Sequence, residues 1–115
     1  MANIYLNAKK DLTATTATTL YAVPSNSRAI VKSLLVSDDS NQSTTITVKL
    51  FDGDPGAGAT AFNLFTVKPI AGNATEQLLT EPLIMLENEV LQVTAANANR
   101  LYAIASILEI NREDK

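Results

Sequence analysis

The sequence predicts an all-β fold, an antiparallel, jelly-roll-like β-sandwich of about eight strands. Short runs rich in Val, Ile, Leu and Thr recur along its 115 residues, and clusters of Gly, Pro, Asn, Asp and Ser separate them. The length fits one domain with one core, which must be mainly aliphatic because only three Tyr and three Phe occur. The predicted division is residues 1–17 as an N-terminal arm or edge segment, 18–110 as the sandwich and 111–115 as a charged tail.

The N-terminal segment contains three different patterns. Ala2 to Leu6 alternates enough for a short strand or an arm, and Ala8 to Asp11 reads as a polar turn. Thr13 to Thr19, TATTATT, has strong β character but no large apolar side chain. It is predicted to be an exposed edge strand or an extended connection.

The stretch from Thr18 to Val36 is predicted to be a β-hairpin. Its first strand, Thr18 to Val23, ends at Pro24 because proline has no N–H for a strand ladder. Its second strand, Arg28 to Ser37, is apolar on both parities. That pattern is typical of a central strand partly covered on both faces.

The cleanest alternation lies in Thr44 to Asp52, where Ile, Val and Leu alternate with Thr and Lys. Phe51 falls on the outward parity of this strand. Asp52 to Ala59, DGDPGAGA, is predicted to be a flexible loop at a hairpin tip. Phe62 to Ile70 follows as the returning strand, and its Lys-Pro pair marks a sheet edge or a strand end.

The last third of the chain repeats short strands and tight turns. Asn97 to Asn99 is predicted to be a hairpin turn, because asparagine tolerates positive φ. A helix over Ala95 to Ile110 is the competing interpretation, but a turn precedes this segment and its isoleucines are β-branched. The predicted strands here are Thr75–Leu79, Leu83–Leu86, Val90–Ala95 and Arg100–Ile110.

The composition excludes several function classes. The sequence contains no Cys and no His, so it forms no disulfide, no thiolate or imidazole zinc site and no Ser-His-Asp relay. The net charge is −3 and the Lys and Arg residues are dispersed, which disfavours nucleic acid and an acidic membrane as partners. We expect no cofactor. The N-terminus lacks a secretory leader pattern, and no apolar run approaches the ~18 residues of a membrane span, so we expect synthesis and folding in a cytoplasm.

Two groups of acidic residues resemble known kinds of site. Asp52-Gly53-Asp54 resembles the start of a calcium loop but lacks the later ligands, so a hairpin loop explains it better. A glycosidase pair among the glutamates of residues 76–89 would need a desolvated cleft lined by aromatics. The region has no aromatic residue, which favours surface carboxylates.

The candidate functional residues belong to an assembly surface. The Thr-rich segment can pair as an added strand, since exposed strand edges recruit neighbouring chains, and a plain linker is the equally weighted alternative. An outward Phe51 beside a Gly-rich loop is a plausible anchor for a partner. The predicted interface residues are Thr15, Thr16, Thr18, Phe51, Asp52 and Asp54.

Three segments together resemble small virion proteins of tailed bacteriophages: TTLYAVPSNSRAIVKS (18–33), EPLIMLENEVLQV (81–93) and YAIASILEI (102–110). Asn88-Glu89 stands where the pattern often has Gly-Asp, and Asn also suits a turn. The resemblance implies a non-enzymatic virion protein that binds the major capsid protein lattice as a decoration (cement) protein, or else a neck, tail or fibre component. It also implies a homo-oligomer, with a trimer favoured, and an N-terminal arm or edge strand that joins a neighbour. The alternatives are a host-facing carbohydrate-binding sandwich and an enzyme. The sequence offers little chemistry for an enzyme, since it has no His, no Cys and no paired-carboxylate cleft.

Overall fold

The computed structural model describes residues 2–111, in which nine strands form two antiparallel sheets. A single turn of 3-10 helix, Pro55–Ala57, lies between the fourth and fifth strands. The strands are β1 (Ala2–Leu12), β2 (Thr18–Ala22), β3 (Ser27–Asp38), β4 (Thr44–Phe51), β5 (Ala61–Ile70), β6 (Thr75–Gln77), β7 (Leu83–Met85), β8 (Val90–Ala95) and β9 (Leu101–Asn111).

The strand order is that of a jelly roll. Sheet A has the order β1-β9-β3-β6, with β7 also pairing with β3, and sheet B has the order β2-β8-β4-β5. The short strands β6 and β7 share one position, because β6 lies opposite Leu35–Ser37 of β3 and β7 lies opposite Ala29–Val31. The nine strands therefore fill two four-position sheets, and the predicted antiparallel sandwich is confirmed.

The core lies between the sheets and consists mainly of aliphatic side chains. β4 contributes by simple alternation, as predicted, with Ile46 and Val48 fully buried. The other largest buried side chains are Leu12, Leu34, Ile70, Met85, Leu91, Leu101, Ile107, Val31, Val36 and Val93.

A β-bulge at Lys32 explains part of the two-sided apolar pattern of β3. Before it the odd residues Ala29 and Val31 face the core, and after it the even residues Leu34 and Val36 do so. The extra residue reverses the strand parity, and Lys32 itself is exposed. β3 pairs with β9 on one side and with β6 and β7 on the other, so the prediction of a central strand is confirmed.

A second bulge, at Leu20 in β2, lets two consecutive side chains enter the core. Leu20 and Tyr21 are both buried. The Tyr21 hydroxyl donates a hydrogen bond of 3.1 Å to Oε1 of Glu109 on β9. This bond satisfies a buried carboxylate and joins sheet B to sheet A through the core.

The predicted hairpin from Thr18 to Val36 is wrong. β2 belongs to sheet B and β3 to sheet A, so the exposed connection passes from one sheet to the other instead of folding back within a sheet. Pro24 does follow the end of β2, and Asn26 adopts φ 63° in the turn. The Val23 N–H donates to the Glu89 carbonyl at 2.9 Å, which fixes the turn against the β7–β8 connection.

The predicted hairpin turn at Asn97 to Asn99 is wrong for the same reason. Asn99 has the expected positive φ of 63°, but β8 lies in sheet B and β9 in sheet A. The sequence pattern of a strand, a polar turn and a second strand is the same for a hairpin and for an arch between two sheets. Long-range packing decides which strand the second one pairs with.

The predicted polar turn from Ala8 to Asp11 is also wrong, because β1 runs unbroken to Leu12. β1 is the edge strand of sheet A, and Lys9 and Asp11 point to its solvent face. Edge strands accommodate such charged residues readily, so polarity alone does not end them.

Other predicted elements agree with the structure. β4 and β5 form the expected hairpin around residues 52–60, and Pro69 lies on an edge strand. The Ala95 to Ile110 segment is β9 and its turn, not a helix. Of the predicted tail at residues 111–115, Asn111 ends β9 and the rest lies outside the described residues.

Candidate interaction surface

The outward face of sheet A, here called the outer A face, carries a row of large apolar side chains among polar ones. The register places Tyr5, Leu108, Ile30 and Ile84 side by side in one row across four strands. Tyr5 is 74% exposed and Ile84 is 62% exposed at the two ends of this row, while Leu108 and Ile30 are half-buried between them. The row is a continuous apolar strip on the outside of the sandwich.

A second pair of large apolar side chains lies beyond a polar row of Asn7, Ser106 and Ser33, in which the Ser106 hydroxyl donates to Asn7 Oδ1 at 3.0 Å. Ile104 of β9 lies beside Leu35 of β3, and both are half-buried. Ile110 continues the same face of β9 towards its end. Tyr102, 38% exposed, closes the other end, and its hydroxyl donates to Asp39 Oδ2 at 3.2 Å. The negative charge of Asp39 raises the pKa of Tyr102 above its ordinary value.

The outward face of sheet B, the outer B face, has a different composition. Its central positions carry hydroxyl, amide and ammonium side chains. The sheets of an antiparallel sandwich commonly have one packed and one solvated face, and the outer B face follows that rule. The residues of this polar surface are Thr19 on β2, Thr45, Thr47 and Lys49 on β4, and Gln92 and Thr94 on β8.

The free edge of β1 adjoins the outer A face. β1 pairs with β9 over its whole length without a register shift. The Leu12 carbonyl accepts a hydrogen bond of 2.9 Å from the Asn99 N–H, on the β9 side of the strand. Because the backbone groups of an antiparallel strand alternate in direction, the opposite parity of β1 presents its N–H and C=O groups to the free edge. These residues are Asn3, Tyr5, Asn7, Lys9 and Asp11.

The predicted interface residues do not form one cluster. Thr15 and Thr16 lie in the exposed connection between β1 and β2. Thr18 begins β2, an edge strand of sheet B, and its hydroxyl donates to the Thr16 carbonyl at 3.3 Å. The Thr-rich segment is thus part connection and part edge strand.

The other predicted interface residues lie around the β4–β5 loop. Asp54 Oδ1 accepts from the Gly56 N–H at 2.9 Å, and Asp52 Oδ1 accepts from the Thr60 N–H at 2.9 Å. Both carboxylates therefore accept backbone hydrogen bonds within the loop that the sequence predicts to be flexible. Phe51 has the outward parity predicted for it but is half-buried. No structural observation tests these six residues as an interface, which stays a prediction.

The described residues hold no group of three or more Asp or Glu side chains arranged for a metal ion. A groove of about 390 Å³ lies beside Asp54, Ala22 and Asn88, and its lining has no aromatic side chain. Among residues 2–111, no helix is long and apolar enough to cross a membrane.

The core contains one perturbed titratable group. Burial, followed by the negative charge of Glu109, raises the pKa of Tyr21 well above its ordinary value. Neutral Tyr21 can donate to the Glu109 carboxylate, and an ionised Tyr21 could not. The pair belongs to the packing between the sheets and opens to no cleft described above.

Sequence reasoning missed the most exposed members of the outer A face, Tyr5 and Ile84. It placed Tyr5 in a short strand or arm and Ile84 in a short apolar strand without joining them. The sequence feature that could have revealed this surface is that both the odd-numbered and the even-numbered residues of β3 and β9 include apolar side chains. That signal indicates a strand covered on both faces, and within residues 2–111 nothing covers the outer side.

Viral capsid proteins share this fold. The infectious bursal virus derived T=1 particles align at TM-score 0.57 and 7% sequence identity, over 95% of this chain and 31% of theirs. The VP2 subviral particle of infectious bursal disease virus aligns at TM-score 0.56 and 11% identity, over 98% and 33%. The chain spans about a third of the length of these structures. Identities this low show a common fold and not a common function.

A pentameric capsid protein isolated from metagenomic phage sequences aligns more weakly. Its TM-score is 0.39 at 15% identity, over 95% of this chain and 60% of that chain. No family model and no curated protein matches the sequence.

Proposed function

We propose that this chain is a non-enzymatic structural protein of a phage virion. In finer detail, we propose a capsid decoration protein that stabilises the head by binding the major capsid protein lattice. The outer A face is the observation that supports this proposal, because it exposes a continuous apolar strip on an otherwise ordinary sandwich. Large exposed apolar patches mark interaction sites on soluble proteins.

The chemistry of the strip fits a broad, shallow contact. Its side chains are Leu, Ile and Tyr on three long strands and one short one, and they supply apolar area without a pocket. Contacts of this kind are individually weak, but a decoration protein repeats them at every lattice position. Repetition then strengthens attachment through multivalency.

The fold and the resemblance to tailed-phage virion proteins are both compatible with this function. The jelly roll is a frequent architecture of viral capsid domains. The resemblance favours a particle component over a free enzyme. A neck, tail or fibre component remains the alternative within the same class, and the position on the particle decides between them.

The test is co-sedimentation of the purified chain with empty capsids and, separately, with isolated tails. We expect binding to capsids, and we expect Leu108→Asp to weaken it about tenfold or more, because a carboxylate would be desolvated in an apolar contact. Thr94→Asp is the matched control, since Thr94 points outward from β8, a central strand of sheet B. It should leave binding unchanged.

Binding to tails without binding to capsids would reassign the protein to the tail or neck. Equal binding by Leu108→Asp and the unmodified chain would remove the outer A face from the contact. Both variants should be checked for an intact fold by circular dichroism, because each places a charge on a central strand.

A further inference from the structure

The free edge of β1 differs from the other exposed strand edges of residues 2–111. β5 is interrupted by register shifts and by Pro69, and β2 by the bulge at Leu20. The β6–β7 edge is broken into two short strands. Bulges, prolines, short edge strands and charged side chains, above all Lys, are devices that prevent edge-to-edge pairing. Over the eleven residues of its ladder β1 has no bulge and no proline, and its charged residues are Lys9, Lys10 and Asp11.

The charges of β1 are confined to one end. Residues 3–8 carry no charge, no Gly and no Pro, while Lys9, Lys10 and Asp11 follow in succession. A second strand laid antiparallel on this edge would place its uncharged half beside the charged half of the first. β1 is therefore complementary to itself when one copy is reversed.

The backbone directions select a register for this pairing. Hydrogen-bonded pairs must join residues that both face the free edge, which are the odd-numbered residues of β1. With full overlap, Asn7 lies opposite Asn7 of the second copy, Tyr5 opposite its Lys9, and Asn3 opposite its Asp11. Five such pairs give about ten backbone hydrogen bonds, two for each pair.

The same register avoids like charges. Lys9 of each copy lies beside the ring of Tyr5 of the other, an arrangement that allows a cation–π contact. Sliding the copies until Lys9 faces Lys9 shortens the overlap and sets like charges directly opposite, which is destabilising. The full-overlap register is thus favoured by both hydrogen bonds and charge.

We infer that two copies of this chain pair through the free edges of their β1 strands, antiparallel about a two-fold axis at Asn7. Sheet A then continues from one copy into the other, and the two outer A faces join into one surface. This inference goes beyond the proposed function, because it concerns the free protein and needs no capsid. If it holds, each attached unit presents two apolar strips, and a pair binds its target more tightly than a single copy.

The test is sedimentation equilibrium of the full chain over a wide concentration range, without capsids. We expect a species of twice the 12.3 kDa chain mass. Tyr5→Lys should weaken pairing about tenfold or more, because it creates two like-charge pairs with Lys9 of the other copy and removes two aromatic contacts. The double variant Tyr5→Lys with Lys9→Glu should restore pairing, since each new lysine then faces a glutamate.

The matched control is Ile84→Lys, which makes the same kind of change at the opposite edge of the outer A face. It should leave the dimer unchanged. Asn7→Pro is a second variant: it removes an N–H that faces the free edge and serves no bond to β9, and we expect it to weaken pairing while circular dichroism shows an intact fold.

Three results would overturn the inference. A chain that stays monomeric at its highest soluble concentration has no such pairing. A trimer, the state that the family resemblance implies, requires a different contact, because an antiparallel strand pair is two-fold. A dimer that Tyr5→Lys and Asn7→Pro leave unaffected would use another surface. None of these results depends on capsid binding, so the two proposals fail separately.

Discussion

The outer A face and the outer B face cover the same core but differ in chemistry. The first has a row of Tyr, Leu and Ile across four strands, and the central positions of the second carry Thr, Gln and Lys, although its edge strand β5 also exposes Phe62 and Val67. Neither face contributes to the packing between the sheets, so core stability does not explain the difference. Under the proposed function, the apolar row of sheet A contacts another macromolecule and the outer B face contacts solvent.

Apolar residues of a single strand can face either the core or the outside of the sandwich. Leu34 and Leu35 are adjacent in β3, but Leu34 is buried in the core and Leu35 is half-buried on the outer A face. Burial of apolar area stabilises the fold only where it occurs on folding. Under the proposed function, the remaining exposed area of Leu35 is buried in the complex.

The largest expected effect tests this separation directly. Leu34→Ala should lower the free energy of unfolding by about 3 kcal/mol, because it leaves a cavity in the core. Leu35→Ala should lower the free energy of unfolding by about 1 kcal/mol or less, because only part of the Leu35 side chain is buried on folding. Urea denaturation of the two variants measures both values. Equal losses would mean that the outer A face stabilises the isolated fold as much as the core does.

A second test compares a tyrosine inside the sandwich with one on its outer A face. Tyr21 keeps its proton in the folded state at a pH where the unfolded chain loses it, so the unfolded state binds fewer protons above about pH 10. The free energy of unfolding should then fall with rising pH, by up to about 1.4 kcal/mol per pH unit. Below that range the contribution is constant.

The measurement is denaturation at several alkaline pH values. Tyr21→Phe should flatten the pH dependence, because the variant has no proton to lose at this position. Tyr102→Phe is the comparison on the outer A face, and it should change the slope much less because solvent screens the charge of Asp39 there. The same slope in the chain with and without Tyr21 would exclude it as the origin.

The smallest expected effect on stability comes from exchanging the chemistry of the two outer faces. Leu108→Thr and Thr94→Leu should each change the free energy of unfolding by only about 0.5 kcal/mol, as is usual for surface positions. Their effects on surface hydrophobicity should be opposite. Retention on a hydrophobic-interaction column should decrease for Leu108→Thr and increase for Thr94→Leu. Unchanged retention of both would mean that the outer A face is less accessible than its exposed fractions indicate.

Local rules predicted the elements whose causes are local. The alternation of β4, the β4–β5 hairpin and the positive φ of Asn99 follow from strand periodicity and turn chemistry. The same rules could not assign partners. They predict hairpins both after Pro24 and at Asn97 to Asn99, although each connection joins different sheets.

The candidate surface shows the same limit. β3 and β9 carry apolar residues on both parities, and this signal was visible in the sequence. Tyr5 and Ile84 were not recognised as parts of one surface, because they are neighbours only through two intervening strands. The charges of Lys9 to Asp11 predict a turn from the sequence, although on an edge strand they are compatible with continued pairing.

The sequence by itself determined the all-β class, most strand positions, and the absence of thiol and imidazole chemistry. These depend on residue identity and on short-range periodicity. Only the tertiary structure decided which strands share a sheet, which apolar parity faces the core, and that β1 ends sheet A with a free edge. The physical reason is that strand pairing and burial depend on contacts between distant segments, which no local pattern specifies.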